Sequence, residues 1–516
     1  MPKGTKILNV DNLLTLLDID EGVEEKKEVP VNCIFVGANE ITKDTGIENF
    51  GNVGTGIIQS LYSFVKKNGT KYFIRNLGTV LQKYNPTTGN FEDVKTELAD
   101  GKRFGYEVYE DWLYMGNGVN NYMRYNGVDA PTEYPTAPKG NILTMFEDRM
   151  HIAGNPTEPL TIYYSAIGDP TSFPTANVIK PPGTDRITGL VKYYNTLIVL
   201  KEKSVWRIEY VWDGTNWIPK LQVVSENYGS ISPKAYCWVE NDIWFFTGKE
   251  VRRIAWLIGR GEAKGILGFD PTSLSNQIKE ALKLLNEAKI SESAVFYHDK
   301  KFYLAVPFRA STFNDTIFVC HILYENRWTK FNKRKKARAN CFVLHDGNVY
   351  SAASDIEGRV YKWTANYDDA GEAISAYVSF RQVGGENFNI TSIYRYLDVE
   401  FKNINSQCEI TLIFDDFDER KKRTKVFYLT TDVQTAEDTI GEVSLGELWI
   451  ADGFGEEILL TEYLKRRFSF LEKGQTIKIK ISNNELGGTF TLSKLGLEWK
   501  ERARRYFAPS GLIYVK

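Results

Sequence analysis

A strand–turn–strand pattern recurs seven times between residues 60 and 365, and no other feature restricts the fold of this chain as strongly. Each unit has an apolar or aromatic run, a turn built on Asp or Asn, and a second such run. The turn residues are Asn68, Asp111, Asp148, Asn195, Asn241, Asp299 and Asp346. Asp and Asn suit tight reversals because their side chains bond the local backbone and tolerate a left-handed conformation. Strand-and-turn repeats of roughly 40 to 50 residues predict a β-propeller.

A second element in most units places a basic residue between apolar ones, as in Tyr122-Met123-Arg124-Tyr125 and Val251-Arg252-Arg253-Ile254. This alternation indicates a strand with one buried face and a basic side chain turned outward. An array of β-sandwiches would contain similar hairpins and is the alternative architecture. The units follow one another without a linker, which favours a single propeller of about six to eight blades.

Composition and periodicity divide the chain into four regions. Residues 1–55 are polar and hold a strand-like segment at 29–37, which is expected to close the ring of blades. Residues 56–366 form the propeller. Residues 372–505 alternate apolar and polar positions without the propeller period, which predicts a β-sandwich-like domain, and residues 506–516 are expected to form an extended arm. The fold prediction is an all-β chain: a propeller with a helical insert, then a C-terminal sandwich.

The insert at 272–289 has a helical period. Its apolar positions are Leu274, Ile278, Ala281, Leu282 and Leu285. This spacing places them on one face of an amphipathic helix, with Thr272 or Ser273 as the N-cap. The face either packs on the propeller rim or contacts a partner subunit.

Charge and cysteine usage exclude several classes of protein. The net charge is −2, so no overall basic field indicates generic nucleic-acid binding. Four of the five cysteines, Cys237, Cys320, Cys341 and Cys408, lie in apolar strand-like runs and are expected to be buried free thiols. The sequence has no apolar signal segment and no run approaching a membrane span, so we expect assembly in a reducing cytoplasm.

Residues suited to catalysis are scarce in this sequence. The four histidines are His151, His298, His321 and His345, and no pair has the spacing of metal ligands. The glycines of Gly51-Asn52-Val53-Gly54-Thr55-Gly56 lack the Lys-Ser/Thr and helix of a phosphate loop. We therefore predict no catalytic residue, no cofactor and no metal site.

The competing prediction is a carbohydrate-binding propeller or a sialidase-like glycoside hydrolase. Two segments are similar to the Asp-box turns of sialidases: Trp212–Trp217 and Ser354–Val360. Neither has the required spacing, and both also suit ordinary hairpin turns. A sialidase needs converging arginines beside a Tyr/Glu pair. The candidates Arg149, Arg207, Arg253 and Arg359 stand at different points of the repeat.

Four basic runs are the most distinctive charged features. They are Lys333-Arg334-Lys335-Lys336, Arg420-Lys421-Lys422-Arg423, Lys465-Arg466-Arg467 and Arg502-Ala503-Arg504-Arg505. Each is either a solvated turn or an electrostatic contact with an acidic protein rim or with passing DNA. The first, second and fourth runs, with the insert's Leu274, Ile278, Leu282 and Leu285, are the candidate interface.

Three segments, in this order along one chain, resemble the tail nozzle and tail-hub proteins of short-tailed bacteriophages, also described as packaged-DNA stabilisation proteins. The first is Tyr164-Ser165-Ala166-Ile167-Gly168-Asp169-Pro170-Thr171-Ser172-Phe173. The second is Asn276-Gln277-Ile278 after a Pro-Thr-Ser-Leu lead. The third runs from Arg466-Arg467-Phe468 to Leu495-Gly496-Leu497-Glu498-Trp499. One departure is Gly46–Gly51, which stands where that family has a Pro-Arg-x-Gly stretch.

The resemblance implies a structural virion protein with no catalytic role. It implies a homo-oligomeric ring, sixfold in symmetry, at the phage tail that retains packaged double-stranded DNA and forms the channel for its ejection without sequence specificity. The implied partners are upstream tail adaptor or portal-connector proteins and tail fibres or spikes. Because a strongly basic channel would hinder ejection of DNA, the four basic runs are then expected to face neighbouring subunits or an upstream adaptor. A general propeller scaffold for protein contacts is the third hypothesis, and it predicts discrete monomers.

Overall fold

The computed structural model describes residues 5–10, 29–37, 40–255, 268–269, 273–356, 358–380, 382–384, 391–415, 420–429 and 463–502. These residues are almost entirely antiparallel sheet joined by turns. They form two compact units. The propeller unit comprises Gly46–Asn326 and Phe331–Ala365, and the sandwich unit comprises Met1–Thr45, Arg327–Lys330 and Asn366–Lys516.

The N-terminal region supplies strands to both units. Its strands are β1 (Thr5–Val10), β2 (Cys33–Gly37), β3 (Glu40–Lys43) and β4 (Ile47–Phe50). The first three join a sheet of the sandwich unit, whereas β4 joins a blade of the propeller.

Six blades are four-stranded sheets whose strands follow one another along the chain. Blade 1 contains β5 (Ile58–Val65), β6 (Lys71–Leu77), β7 (Val80–Asn85) and β8 (Asn90–Lys95). Blade 2 contains β9 (Gly105–Tyr109), β10 (Trp112–Gly116), β11 (Tyr122–Tyr125) and β12 (Thr132–Tyr134). Blade 3 contains β13 (Ile142–Phe146), β14 (Arg149–Ala153), β15 (Ile162–Tyr164) and β16 (Val178–Ile179).

The next three blades have the same strand order. Blade 4 contains β17 (Ile187–Tyr193), β18 (Thr196–Lys201), β19 (Val205–Trp212) and β20 (Trp217–Ser225). Blade 5 contains β21 (Tyr236–Val239), β22 (Asp242–Phe246), β23 (Val251–Ala255) and β24 (Gly268–Phe269). Blade 6 contains β25 (Ala294–His298), β26 (Lys301–Val306), β27 (Thr316–His321) and β28 (Arg327–Asn332).

The seventh blade closes the propeller with strands from two distant parts of the chain. Its strands β29 (Ala339–His345), β30 (Asn348–Ala353) and β31 (Val360–Trp363) are followed in the sheet by β4. Phe50 is opposite Val360, and Ile47 is opposite Trp363. The closing strand is therefore Ile47–Phe50 rather than the segment 29–37. The described residues thus form a seven-bladed propeller, within the predicted range of six to eight.

The predicted turn residues lie at the tip of the first hairpin of each blade. Four of these two-residue loops have both residues in the left-handed region: Glu110-Asp111, Glu147-Asp148, Asp299-Lys300 and Asp346-Gly347. Loops of this kind match the right-handed twist of the flanking strands, so they favour hairpins over other connections. The recurring Asp or Asn in the sequence therefore marks the turn between the first two strands of each blade.

The apolar faces of neighbouring blades pack against one another. Ile74 and Leu81 of blade 1 share a buried cluster with Leu113 and Met123 of blade 2. The same packing joins the last blade to the first, where Tyr350 and Val360 meet Ile58, Phe73 and Phe91. The first strands of neighbouring blades also contact each other around the axis. Sheets packed around a closed circle in this way leave only short strand edges exposed.

The helical insert is shorter than the predicted range 272–289. Its helices are a 3-10 turn at Asn276–Ile278, α1 (Lys279–Leu282) and a second 3-10 turn at Ile290–Glu292. The residue before the first turn is Ser275, and its side chain makes no capping hydrogen bond. The predicted cap Thr272 lies outside the described residues. The helix ends early because the chain then turns back to blade 6, where Leu285 bridges to Phe308.

Two antiparallel sheets make up the sandwich unit. Besides β1, β2 and β3, these sheets contain β34 (Ala376–Ser379), β35 (Val383–Gly384), β36 (Thr391–Lys402), β37 (Cys408–Phe414), β38 (Arg423–Leu429), β39 (Tyr463–Gly474), β40 (Thr476–Asn483) and β41 (Thr491–Arg502). Two short strands, β32 (Asp368–Asp369) and β33 (Glu372–Ala373), pair with each other outside these two sheets. One sheet has the order β2-β3-β41-β36-β39, and β1 pairs with β41. The other has the order β34-β40-β37-β38.

The inner faces of the two sheets meet through aromatic side chains. The Phe414 ring of one sheet lies 5.9 Å from Tyr394 and 6.3 Å from Phe470 of the other. Alternate residues such as Ile410 and Ile479 are buried, in keeping with the period-two pattern. Because β1, β2 and β3 precede the propeller in sequence, the sandwich is assembled from both ends of the chain.

Candidate functional site

Two of the four histidines, His151 and His321, are buried in the protein core. No group of three His, Cys, Asp or Glu side chains there is arranged to hold a metal ion. His151 is fully buried and bonds the Tyr210 hydroxyl at 2.9 Å. Burial lowers the pKa of His151 to about 4 and that of His321 to about 3, so both are neutral at physiological pH.

All five cysteines are free, and four of them are buried. Burial raises the pKa of the Cys341 thiol to about 11 and that of Cys408 to about 12. A thiol with so high a pKa carries almost no thiolate near neutral pH. These cysteines therefore act as small apolar core residues, as the sequence predicts for Cys320, Cys341 and Cys408. Cys237 is half-buried.

The basic run at 333–336 is divided between core and surface. Arg334 is 4% exposed and Lys336 is 2% exposed. The Lys336 ammonium lies 4.4 Å from the Trp363 ring centroid and 5.3 Å from that of Phe331. Contacts of this kind stabilise a desolvated cation. The interface prediction is thus corrected for Arg334 and Lys336, because burial makes them unavailable to a partner, while Lys333 is exposed and Lys335 half-buried.

The other basic runs lie on the sandwich unit. Arg420, Lys421, Lys422 and Arg423 are exposed. Arg423 pairs with Glu472 at 3.1 Å, and Arg467 of the third run pairs with Asp398 at 2.6 Å. Arg502 is the last residue of β41, and Arg504 and Arg505 lie outside the described residues. An interface role for the second and fourth runs stays a prediction.

The apolar face of the insert packs on its own chain. Ile278, Leu282 and Leu285 are buried, and Leu274 is half-buried. Of the two alternatives for this face, packing on the propeller accounts for these three residues. The interface prediction is corrected for Ile278, Leu282 and Leu285 for this reason.

Among the described residues of the propeller unit, four exposed apolar side chains lie together at the end of the last hairpin of blade 4. We call residues 211–218 the tryptophan hairpin. Val211 and Trp212 of β19 are opposite Ile218 and Trp217 of β20. Trp212 is 52% exposed and Trp217 is 53% exposed, with ring centroids 5.8 Å apart.

Local chemistry fixes the shape of this hairpin. The Asp213 carboxylate accepts hydrogen bonds from the backbone N–H groups of Thr215 and Asn216 at 2.8 and 2.7 Å. Gly214 adopts φ +103°, which favours glycine because a Cβ is strained there. The segment that is similar to an Asp box is therefore a rigid turn that presents two indoles side by side.

A cleft of about 1230 Å³ adjoins the hairpin between blades 4 and 5. Tyr194 and Tyr210 contribute aromatic surface to it, and Val211 belongs to both the cleft and the hairpin. Tyr194 is largely exposed. An exposed apolar knob beside an aromatic cleft is the kind of surface that protein partners cover.

A second cavity, which we call the axial pocket, has a volume of about 650 Å³. Residues at or just before the first strands of blades 1 to 6 line it: Gln59, Arg103, Asn141, Thr188, Lys234 and Glu292. Since the first strands surround the propeller axis, this pocket lies at one end of that axis. Sequence reasoning did not identify it, because its residues come from six repeats and share no motif.

Ion pairs in the axial pocket leave a surplus of positive charge. Lys234 pairs with Glu292 at 3.0 Å, and Arg186 pairs with Glu202 at 2.7 Å. Lys234 also donates to the Asn340 side chain at 2.8 Å, which links blades 5, 6 and 7. Among the described residues, no carboxylate lies within 4.0 Å of the Arg103 guanidinium, which is half-buried.

Glu107 of β9 is an ionisable group with a strongly perturbed pKa in the inner strands. Burial raises the pKa of Glu107 to about 7, although a backbone hydrogen bond from Met145 and the charge of Lys192 act in the opposite direction. The folded protein therefore binds this proton more tightly than the unfolded chain, in which the pKa is near 4.5. The free energy of unfolding is expected to fall as the pH rises from that value to about 7.

We expect Glu107→Gln to stabilise the propeller at about pH 8 and to change its stability little at about pH 5. The gain should be on the order of 2 kcal/mol, after discounting for the side chain's partial exposure. Glutamine keeps the oxygen that accepts from Met145, so packing is retained. Thermal unfolding of both proteins at the two pH values measures the difference. An equal stabilisation at both would show that charge is not its cause.

The four arginines of the hydrolase hypothesis lie in four different blades. Arg149 lies in the second strand of blade 3, where its guanidinium contacts the Tyr164 ring at 5.3 Å. Arg207 bonds Gln222 within blade 4. Arg253 lies in blade 5, and Arg359 directly precedes the third strand of blade 7. The hydrolase alternative stays a hypothesis.

Neither a protein-family model nor a curated protein matches this sequence. Among solved structures, the extracellular domain of a B. thetaiotaomicron hybrid two-component system aligns with a TM-score of 0.42 and 9% identity over 70% of this chain and 44% of that one. YCF48 bound to a D1 peptide aligns with a TM-score of 0.38 and 8% identity, over 65% of this chain and 98% of that one. The WD40 domain of Neurospora crassa Pan2 aligns with a TM-score of 0.34 and 10% identity, over 60% of this chain and 89% of that one.

These similarities concern the fold alone, and the chain spans less than half the length of the first of them. The roles of those proteins carry no argument about this one. Within the described residues, no helix combines the length and apolar character needed to cross a membrane.

Proposed function

We propose that this chain is a structural virion protein, several copies of which form a closed ring in the tail of a short-tailed bacteriophage. The ring would retain packaged DNA and form the channel for its ejection. The single observation that supports assembly best is the tryptophan hairpin, where Trp212 and Trp217 are each about half exposed. The phage assignment rests on the resemblance of the three sequence segments described above.

The position of the hairpin suits a repeating contact around a ring. β20 is the last strand of blade 4, so it lies at the circumference of the propeller. Pro219 of β20 has no N–H to donate, which discourages strand pairing along this edge. Contact through the indole side chains is therefore favoured over sheet extension. Tryptophan is also the residue type most enriched among energetically dominant interface positions.

The cleft beside the hairpin offers a complementary surface on the next copy. A knob of one copy that enters a cleft of another makes a heterologous contact, which closes into a ring when the rotation permits. In this arrangement Trp212 and Trp217 of one copy would meet Tyr194 and Tyr210 of the next. Tyr194 is available because most of its surface is exposed.

The propeller has the mechanical properties that a wall around packaged DNA requires. Its blades are packed into a closed circle, and β4 seals the last of them. The net charge of −2 gives no strong attraction for DNA, so passage would not be hindered by binding. The exposed residues Arg420, Lys421 and Lys422 are candidates for contacts with an upstream adaptor or portal-connector protein, and tail fibres or spikes are further candidate partners.

Locating the chain on phage particles tests the virion assignment. Antibodies raised against the purified protein and coupled to gold would be applied to particles from a lysate of the source virus and imaged by electron microscopy. We expect label at the tail end of the particles and loss of label when the antibody is pre-absorbed with the protein. Label on no particle, with the protein recovered only as free chains, would contradict the assignment.

A further inference from the structure

The axial pocket has the dimensions of a small-molecule site rather than of a macromolecular interface. Its volume of about 650 Å³ lies within the range of roughly 300 to 1,000 Å³ that is typical of ligand pockets. No aromatic side chain lines it, so it offers no ring on which a nucleobase would stack. Its lining is instead rich in amides and hydroxyls: Gln59, Asn141, Asn155, Thr184, Thr188, Ser232 and Ser291.

Charge in the pocket favours an anion. The carboxylates of Glu202 and Glu292 are each taken up by an ion pair with Arg186 or Lys234. Lys102 and Arg103 remain as cations that no ion pair offsets among the described residues. Arg103 is half-buried, so its interaction with an anion is less screened than that of a surface arginine. A guanidinium also binds carboxylate or phosphate through two parallel hydrogen bonds.

We propose that the axial pocket binds a small polyhydroxylated anion, of the sugar-acid or sugar-phosphate kind. Arg103, assisted by Lys102, pairs with the charged group, and polar side chains of the lining such as Gln59, Asn155 and Ser291 bond the hydroxyl groups of the ligand. This site is independent of the ring proposal, since the tryptophan hairpin contributes nothing to it. A protein that failed to form rings would still be expected to bind the ligand.

Isothermal titration calorimetry on the full chain tests the proposal with four probes: glucuronate, glucose 6-phosphate, glucose and inorganic phosphate. We expect one or both anionic sugars to bind at least about tenfold more tightly than glucose, because a charged hydrogen bond contributes more than a neutral one. Binding of glucuronate alone identifies a carboxylate site, and binding of glucose 6-phosphate alone identifies a phosphate site. Failure of both anionic sugars, or equal binding of glucose, would overturn the proposal.

Two variants connect the binding to the named residues. Arg103→Gln is expected to weaken binding of the anionic sugar roughly 10- to 100-fold, whereas Arg309→Gln, a matched change at an exposed arginine outside the pocket, should leave it unchanged.

Three results would contradict this assignment of residues. They are binding that survives in Arg103→Gln, an equal loss in Arg309→Gln, and inorganic phosphate that binds as tightly as glucose 6-phosphate. The first two would place the site elsewhere, and the third would remove the sugar from the proposal.

Discussion

The double variant Trp212→Ser, Trp217→Ser is expected to sediment as a single chain of 58.9 kDa under conditions in which the native protein forms rings. Truncating a tryptophan at the centre of an interface costs about 2 kcal/mol or more, so losing both weakens each contact by about 4 kcal/mol. That corresponds to roughly a thousandfold in affinity at every contact around the ring. Analytical ultracentrifugation over a range of concentrations measures the change.

The control replaces two other exposed apolar residues of the propeller unit. Val128 is 68% exposed and Val65 is 44% exposed, and neither belongs to the tryptophan hairpin or lines the cleft beside it. Val128→Ser with Val65→Ser should leave the oligomer intact. Because both indoles are already half exposed, the tryptophan variant should unfold at nearly the native temperature. Rings that persist in the tryptophan variant, or that dissociate equally in the control, would remove the hairpin from the interface.

The second large effect concerns closure of the propeller. We expect Ile47→Asp to lower the free energy of unfolding by about 3 to 5 kcal/mol at neutral pH. Ile47 is 1% exposed and packs with Ala353 and Tyr361 in the seventh blade. A carboxylate at this position would be buried without a partner, so β4 would separate from β31. Urea unfolding followed by tryptophan fluorescence measures the loss.

Glu48→Ala, one residue further along β4, is the matched control. Glu48 pairs with Lys362 at 3.2 Å, but both side chains are partly exposed, so this pair contributes at most about 1 kcal/mol. Hydrogen exchange should locate the damage of Ile47→Asp in the amides of blades 7 and 1, which this closure holds together. Uniform exchange across all blades, or equal losses in the two variants, would show that β4 does not close the ring of blades.

The propeller itself could be predicted because its local signal is repeated. Asp111, Asp148 and Asp346 each occupy a left-handed turn position, and this requirement recurs in blade after blade. The blade count could not be fixed because the seventh blade is completed by β4, a four-residue strand about 300 residues away in sequence from its neighbour β31. A strand so short carries too little periodicity to be recognised alone.

The interface residues were harder to predict, because burial depends on tertiary neighbours. Lys336 belongs to a basic run that suggests a solvated turn, yet aromatic rings from two other segments enclose its ammonium. The sequence does indicate the exposed tryptophan hairpin. Both faces of the hairpin end are apolar, at Val211, Trp212, Trp217 and Ile218. Because only one face can pack on the propeller, the other must be exposed. The sequence around Arg103 did not indicate a pocket, because most of the other lining residues come from five other blades.

Electron microscopy of the purified protein, alone and in lysate-derived particles, is the most direct test of the ring proposal. We predict closed rings with a central channel, sixfold if the resemblance to tail nozzle proteins holds, and matching density at the tail of the particles. Isolated propellers in the pure sample with rings only in particles would mean that assembly requires a template. Isolated propellers in both samples, at concentrations well above those used for sedimentation, would contradict the account.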